Sequence, residues 1–213
     1  MILVGIDFSL NSTGAVILKD GKYHWLSFVS NLKPDNKPFI HHKALKEIVE
    51  INDYTRNVPK NDYIKEQCYK QTNAYEIALL ISQTIAEIAD KDEDVVIAFE
   101  GFAYGAKGRA FIDMIAYNSF CKMELMKRFD KEIIVFSPSE IKAFHTGKGN
   151  CGKDKMFDSF LQSTDPRLEG DPFFNYCKSI EWESGDPPKP LDDIVDAYAI
   201  TLKLEDHLLR ILN

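Results

Sequence analysis

The chain has 213 residues, of which 45% are hydrophobic and 28% are charged, and its formal net charge at pH 7 is −7. These values predict one large soluble domain, spanning residues 1–213. The negative charge argues against a protein that coats nucleic acid along its whole surface, and no apolar run approaches the roughly 20 residues of a membrane span.

The N-terminus and the cysteines indicate the compartment. Met1 to Asp7 has no basic region and no cleavage site, so we interpret it as a strand and not as a signal peptide. The four cysteines are scattered, with no CxxC pair and no matching histidine spacing. We therefore expect reduced thiols, no zinc site, and a cytoplasmic protein (or one in the host cytoplasm, if the gene is viral).

The chain begins with three predicted strands, Ile2 to Ile6, Ala15 to Leu18 and Tyr23 to Val29. Asp20-Gly21, between the second and third strands, is a strong signal for a two-residue hairpin. The pattern predicts an antiparallel meander whose first strand ends at Asp7.

Residues 31–73 are interpreted as an insertion of unknown function that contains a helix from about His41 to Tyr54. Thr72 or Asn73 can cap a stronger helix that runs to about Ala89, because its isoleucines form one apolar stripe. The elements that follow are a strand, a helix, a strand and two short helices: Asp94 to Glu100, Arg109 to Phe129, Ile133 to Phe136, a helix that starts at Ser137 and a helix that ends near Leu161. Residues 163–190 are interpreted as a second insertion, a proline-rich loop. This order of elements predicts a layered α/β fold.

The last predicted helix carries two acids one turn apart. Pro190 prevents a helix from continuing upstream, Asp192 is the predicted N-cap, and the helix runs to about Leu212. Asp193 and Asp196 lie on the same helix face and repel each other unless a cation neutralises them. The alternative is that Asp192 and Asp193 only complement the helix dipole.

Two further acids end buried strands. If the strands that end at Asp7 and Glu100 are parallel neighbours, both acids lie at the sheet edge where α/β proteins bind ligands. The last helix, packed across this edge, would bring Asp193 and Asp196 to the same place. Four carboxylates without cysteine or histidine form a site for magnesium or manganese. Two such ions are the usual arrangement for phosphodiester hydrolysis.

Three motifs resemble the RuvC family of Holliday-junction resolvases: GIDFSLNSTG at Gly5 to Gly14, Phe99-Glu100 after an apolar run, and DIVDA from Asp193. Ser137 to Lys153 is also similar to the basic segment of that family. The resemblance implies an RNase H-like fold with a five-stranded mixed sheet, an antiparallel meander followed by parallel strands. It also implies two magnesium ions, for which manganese would substitute, held by four acids: Asp7, Glu100, Asp193 and Asp196. Lys142 and Lys153 would contact the scissile region, Lys153 as a catalytic residue.

Basic and aromatic residues near these acids are candidates for DNA binding. Clustered lysines and arginines supply most of the salt-dependent affinity for a phosphate backbone, and exposed aromatic rings stack on unpaired bases. The basic candidates are Lys107, Arg109, Lys142, Lys148, Lys153 and Lys155. Phe102 and Tyr104 are the aromatic candidates. A solvated basic loop and, for Phe102, a place in the core are the alternatives.

Three other functions have partial support in the sequence. Gly147 to Lys153 matches a phosphate-binding P-loop, but Asp154 replaces the Ser or Thr that should bind magnesium. A fragment of an actin-like or sugar-kinase ATPase would need a second half with its own phosphate hairpin, which this chain lacks. A branched-DNA-binding protein that does not cleave would have lost one or more of the acids, and all are present.

The sequence therefore predicts a magnesium-dependent, structure-selective endodeoxyribonuclease that resolves Holliday junctions and related branched DNA. Its insertions leave four-way junctions, forks and flaps open as preferred substrates. The helix from Arg109 to Phe129 carries more apolar surface than one sheet face needs, so it is the predicted interface of a homodimer. A two-fold dimer presents two active sites to a junction.

Overall fold

A computed structural model describes residues 1–32, 37–89, 93–102, 107–180 and 185–212. Its centre is a six-stranded sheet with the order β4-β3-β2-β1-β5-β6. The strands are β1 (Ile2–Asp7), β2 (Ser12–Lys19), β3 (Lys22–Ser30), β4 (Glu50–Tyr54), β5 (Val95–Glu100) and β6 (Ile133–Phe136). The helices are α1 (Lys37–Leu45), α2 (Tyr63–Ile88), α3 (Arg109–Phe129), α4 (Pro138–Thr146), α5 (Lys153–Leu161), α6 (Pro172–Ser179) and α7 (Leu191–Leu212), with a short 3₁₀ helix at Pro166–Leu168.

The strand pairing places two acids side by side. β1 pairs with β2 and β2 with β3 in antiparallel fashion, whereas β5 runs parallel to β1, and β6 parallel to β5. The predicted meander followed by parallel strands is therefore confirmed. Because Ile6 lies opposite Phe99, the next residues along the two strands, Asp7 and Glu100, extend from the same edge.

Helices cover both faces of the sheet. α7 lies on one face, over β1 and β2, together with α4, α5 and α6. α2 and α3 pack against each other on the opposite face. Each layer buries its own hydrophobic cluster, so the sheet is apolar on both sides, as the continuous apolar runs of β1 and β5 predict.

Two glycines let α7 approach the sheet closely. A β-carbon at Gly5 would overlap the α7 backbone at Ala197 and Thr201, and one at Gly14 would overlap the backbone of Asp193. The backbone of β1 and β2 therefore touches α7 directly. This contact sets the position of the first turn of α7 above the sheet.

The sheet has six strands where five were predicted, because the expected helix from His41 to Tyr54 is not continuous. α1 ends at Leu45, and β4 adds to β3 as a parallel edge strand. Leu45 and Val49 are buried. Hydrogen bonds to β3 decide the conformation of β4, and local periodicity does not reveal such bonds.

Two other boundaries differ because of helix caps. α2 begins at Tyr63, about two turns before Thr72, since the side chain of Asp62 accepts a hydrogen bond of 3.0 Å from the backbone N–H of Lys65. The second predicted loop contains α6, which Asp171 caps by accepting a 2.9 Å hydrogen bond from the N–H of Phe174. An aspartate followed by proline is a helix-start signal, and the high proline content of the segment obscured it.

No helix within the described ranges has the length and apolar character needed to cross a bilayer.

Candidate active site

One cavity of about 300 Å³ opens at the ends of β1 and β5, beside the first turns of α7. Acids and lysines from five segments line it: Asp7, Glu100, Lys142, Lys153, Lys189, Asp193 and Asp196. The four acids predicted to act together are thus brought to one place, although they come from β1, β5 and α7. The parallel pairing of β1 with β5 and the close contact of α7 with the sheet are the causes.

Burial and mutual repulsion raise the pKa of the acids. Burial has the largest effect on the pKa of Asp7, which lies well above its usual value, and the charges of Asp196, Asp193 and Glu100 raise it further. Burial also raises the pKa of Asp196 to about 7, while Lys153 acts in the opposite direction. Ionised carboxylates in this cavity therefore require positive counter-charge.

Asp193 is held through both of its carboxylate oxygens. The hydroxyl of Ser12, the first residue of β2, donates a buried hydrogen bond of 2.5 Å to Oδ2. The ammonium group of Lys189 contacts Oδ1. Sequence analysis identified neither partner. Lys189 lies four residues before Asp193, a helical spacing that signals such a pair, whereas the contact with Ser12 has no local signal.

Asp192 is a counter-ion for lysines and not the predicted N-cap. α7 begins at Leu191, so Asp192 lies inside the first turn, where it is almost fully buried. Its Oδ2 accepts hydrogen bonds from Lys153 at 2.5 Å and pairs with Lys189 at 3.0 Å. Its Oδ1 is buried without a hydrogen-bond partner among the residues that the structure describes.

Lys153, the first residue of α5, extends over the acid cluster. Beyond its bond to Asp192, its Nζ lies 3.8 Å from Asp193 and 3.9 Å from Asp196. Burial lowers the pKa of Lys153, but the three carboxylates raise it by more, and the net shift is upward. Lys153 therefore stays protonated and partly neutralises the cluster.

The donors suit magnesium, but they are not yet arranged around it. Carboxylate oxygens are the ligands that this ion prefers, and the unpartnered Oδ1 of Asp192 adds another such oxygen to the cluster. Across the described parts of the chain, however, no three His, Cys, Asp or Glu side chains form a ready-made metal site. Lys153 and Lys189 lie among the acids instead, so an ion would have to replace lysine contacts.

The candidate DNA-binding lysines are divided between two surfaces. Lys142 and Lys153 line the acidic cavity. Lys148 and Lys155 line a separate polar cavity of about 310 Å³, where Lys155 pairs with Asp158 at 2.9 Å. The basic segment therefore does not form one continuous wall around the acids.

The candidates after Glu100 are placed differently from one another. Lys107 is exposed, and Arg109 contacts Glu66 on α2, which partly neutralises its charge. Phe102 is 36% exposed, and its ring packs edge-on against Phe111 with 5.5 Å between ring centroids. Phe102 is therefore a partly exposed ring that Phe111 holds in place. Tyr104 lies outside the described residues.

No protein-family model and no curated protein matches the sequence. A solved structure that covers nearly the whole chain is similar: Thermus thermophilus RuvC in complex with a Holliday junction substrate. The TM-score is 0.50 at 11% identity, and the match covers 99% of this chain and 96% of that one. The chain has the fold of RuvC.

Two further structures match with lower scores. Thermus thermophilus RuvC alone has a TM-score of 0.47 at 12% identity, covering 98% of this chain and 96% of that chain. The yeast mitochondrial Holliday junction resolvase has a TM-score of 0.47 at 11% identity, covering 99% of this chain and 84% of that chain. The similarity to the Holliday-junction complex and the strand order described above confirm the predicted RNase H-like fold of RuvC type, with one more strand than expected.

Proposed function

We propose that the protein is a magnesium-dependent endodeoxyribonuclease that resolves Holliday junctions and related branched DNA, in DNA recombination and repair. The observation that carries the proposal is the cavity in which Asp7, Glu100, Asp193 and Asp196 meet Lys142 and Lys153. The similar Thermus thermophilus structure is a complex with a Holliday junction substrate. The shared fold and the acidic cavity at the ends of β1 and β5 favour a nuclease acting on branched DNA.

The four acids of this cavity would hold two magnesium ions, with manganese as a substitute. Bound magnesium would supply an acidified water and neutralise charge on the phosphodiester. Asp7 and Glu100 are fixed by the sheet, and Ser12 orients Asp193. Burial of these acids keeps bulk water away from their charges, which strengthens their attraction for a divalent cation.

Lys153 and Lys142 would hold the scissile phosphate at the cavity. Lys153 is 38% exposed although it contacts buried acids, so its ammonium group reaches both the cluster and an incoming phosphate. We assign Lys153 a catalytic role, because a cation at this place stabilises charge that develops on the phosphate. Burial raises the pKa of Glu100, and Lys142, which lines the same cavity, acts in the opposite direction.

The remaining candidates would bind the arms of the DNA. The acidic cavity is not lined by Lys107, Lys148, Lys155 or Arg109. These residues would contact the phosphate backbone without regard to sequence. Phe102 has a partly exposed ring, and an unpaired base at a branch point can stack on it. Tyr104 is proposed for the same role from the sequence alone.

The outer face of α3 is the proposed homodimer interface. Four large apolar side chains on it are exposed: Ile112, Ile115, Met123 and Met126. Their successive spacings of three, eight and three residues place them on one stripe of the helix, opposite the side that packs on α2. A second copy of the chain is the proposed occupant, because two sites related by a two-fold axis match paired nicking of a four-way junction.

Cleavage of labelled four-way, forked and linear duplex DNA, with magnesium or with EDTA, tests this function. We expect paired nicks in the four-way junction only with magnesium, and much weaker cutting of the linear duplex. Asp7→Asn serves as the inactive control. Junction binding without cleavage in either magnesium or manganese would show the alternative, a branched-DNA-binding protein of the same fold.

A further inference from the structure

We infer that the ammonium group of Lys189 takes the place of a divalent ion beside the carboxylate of Asp193, and that it stays paired with Asp192 when an ion binds. Lys189 is thus a positioning residue that competes with the metal. The inference rests on the proposed magnesium site, and it assigns roles to two residues outside the four predicted ligands.

The partners of Asp193 differ in how easily they can leave. Ser12 is buried, and its hydroxyl belongs to the start of β2, so its bond to Oδ2 is fixed by the sheet. Lys189 precedes α7, and its side chain is 38% exposed, against 3% for the side chain of Asp193. A lysine that is half in water can move its ammonium group at little cost. The Oδ1 oxygen, which Lys189 contacts, is therefore the one that can change partner.

Asp192 supplies the place to which Lys189 can withdraw. Lys189 already pairs with Oδ2 of Asp192 at 3.0 Å, so loss of its contact with Asp193 leaves one ion pair intact. Oδ1 of Asp192 is buried and has no hydrogen-bond partner within the described residues. An ammonium group released from Asp193 thus has an acceptor at hand, and it need not become a free charge beside the bound ion.

The same arrangement explains how the acids are tolerated before metal binds. Burial and Asp192 raise the pKa of Asp193, while Lys189 lowers it by ion pairing and hydrogen bonding. Lys153 forms the corresponding ion pairs with Asp192 and Asp196. The two lysines therefore stabilise the fold without metal, and the contact between Lys189 and Asp193 must be lost for Asp193 to serve an ion through Oδ1.

Calorimetric titration of the whole chain with magnesium chloride, without DNA, tests the inference. Lys189→Gln removes the competing ammonium group, so we expect a magnesium dissociation constant about threefold to tenfold lower than that of the unsubstituted protein. Its melting temperature in EDTA should fall, because Asp193 loses a partner. Lys189→Arg keeps the charge and should restore both values most of the way.

Two lysine variants separate contact from general charge. Lys142→Gln removes a positive charge from the same cavity without removing a contact to Asp193, and we expect a smaller change in magnesium affinity than for Lys189→Gln. Lys203→Gln removes a lysine that pairs with Asp206 at 3.2 Å farther along α7, and it should leave the magnesium affinity unchanged. Asp192→Asn removes the negative charge that holds Lys189 and should weaken magnesium binding.

The outcomes distinguish this inference from the proposed function. If the unsubstituted protein binds magnesium and Lys189→Gln binds it equally or more weakly, Lys189 has only a structural role and the inference is wrong, while the nuclease proposal stands. An effect of Lys142→Gln as large as that of Lys189→Gln would also overturn it. If the unsubstituted protein takes up neither magnesium nor manganese, both proposals fail.

Discussion

Ser12 and Asp193, 181 positions apart in the chain, share a buried hydrogen bond of 2.5 Å. It joins the start of β2 to the first turn of α7 and fixes the orientation of one of the four acids. The bond forms because α7 lies directly on β1 and β2. The geometry of the cavity therefore depends on how closely this helix contacts the sheet.

Ser12→Ala should lower the rate of junction cleavage about tenfold. It should also lower the free energy of unfolding by about 1–3 kcal/mol, because the buried Oδ2 of Asp193 loses its hydrogen-bond donor. Ser12→Thr retains a hydroxyl and should lose less of both. Ser30→Ala is the control, since the hydroxyl of Ser30 donates an exposed 3.3 Å bond to Asn11 and not to one of the four acids. Equal cleavage rates for Ser12→Ala and Ser30→Ala would show that Ser12 does not contribute to the active site.

Asp7→Asn should abolish cleavage, leave junction binding intact, and hold or raise the melting temperature in EDTA. Burial and neighbouring acids raise the pKa of Asp7, so its ionised form costs free energy in the folded protein. Asp193→Asn should also abolish cleavage, but it gives up the contact with Lys189, so its melting temperature should not rise. A marked fall for Asp7→Asn would indicate a structural role for this acid.

Lys153→Gln should reduce single-turnover cleavage of a saturated junction by about 100-fold or more, the usual cost of losing a preorganised electrostatic contact. Lys155→Gln is matched in chemistry and lies on the same helix, but it contacts Asp158 and not the acid cluster. It should weaken junction binding slightly and leave the cleavage rate nearly unchanged. Similar rates for the two variants would contradict a catalytic role for Lys153.

Gly14→Ala should destabilise the fold by about 1–3 kcal/mol or more and strongly reduce cleavage, because its β-carbon would overlap the backbone of Asp193. Gly21→Ala provides the contrast. Gly21 has a φ of +71° with open space around it, so alanine there should cost about 1–2 kcal/mol of backbone strain and spare the cleavage rate. Thermal unfolding and cleavage of both variants give the comparison.

Met123→Glu combined with Ile112→Glu should convert a dimer into a monomer at micromolar concentration, since both residues are about two-thirds exposed on the outer stripe of α3. Ile211→Glu, which changes an equally exposed residue near the end of α7, should leave the dimer intact. Sedimentation with and without junction DNA measures both. A monomeric unsubstituted protein, even with junction DNA, would rule out this interface.

Much of the architecture follows from the sequence itself. β1 and β5 are buried apolar runs, β6 is a short apolar run, and α3 has apolar residues at helical spacing, so each element is specified by residues next to one another in the chain. The same local signals placed Asp7 and Glu100 at strand ends and Asp193 and Asp196 on one helix face. Together with the resemblance to the RuvC family, these signals predicted that the four acids meet.

Only the tertiary structure decided what surrounds those acids. β4 forms because β3 offers it backbone partners, and Asp192 is buried against two lysines because α7 begins two residues earlier than its capping pattern suggests. The contact between Ser12 and Asp193 requires Gly5 and Gly14 to admit α7 to the sheet surface. Periodicity along a chain reports which face of an element is buried, whereas the partner it meets there depends on packing between elements distant in sequence.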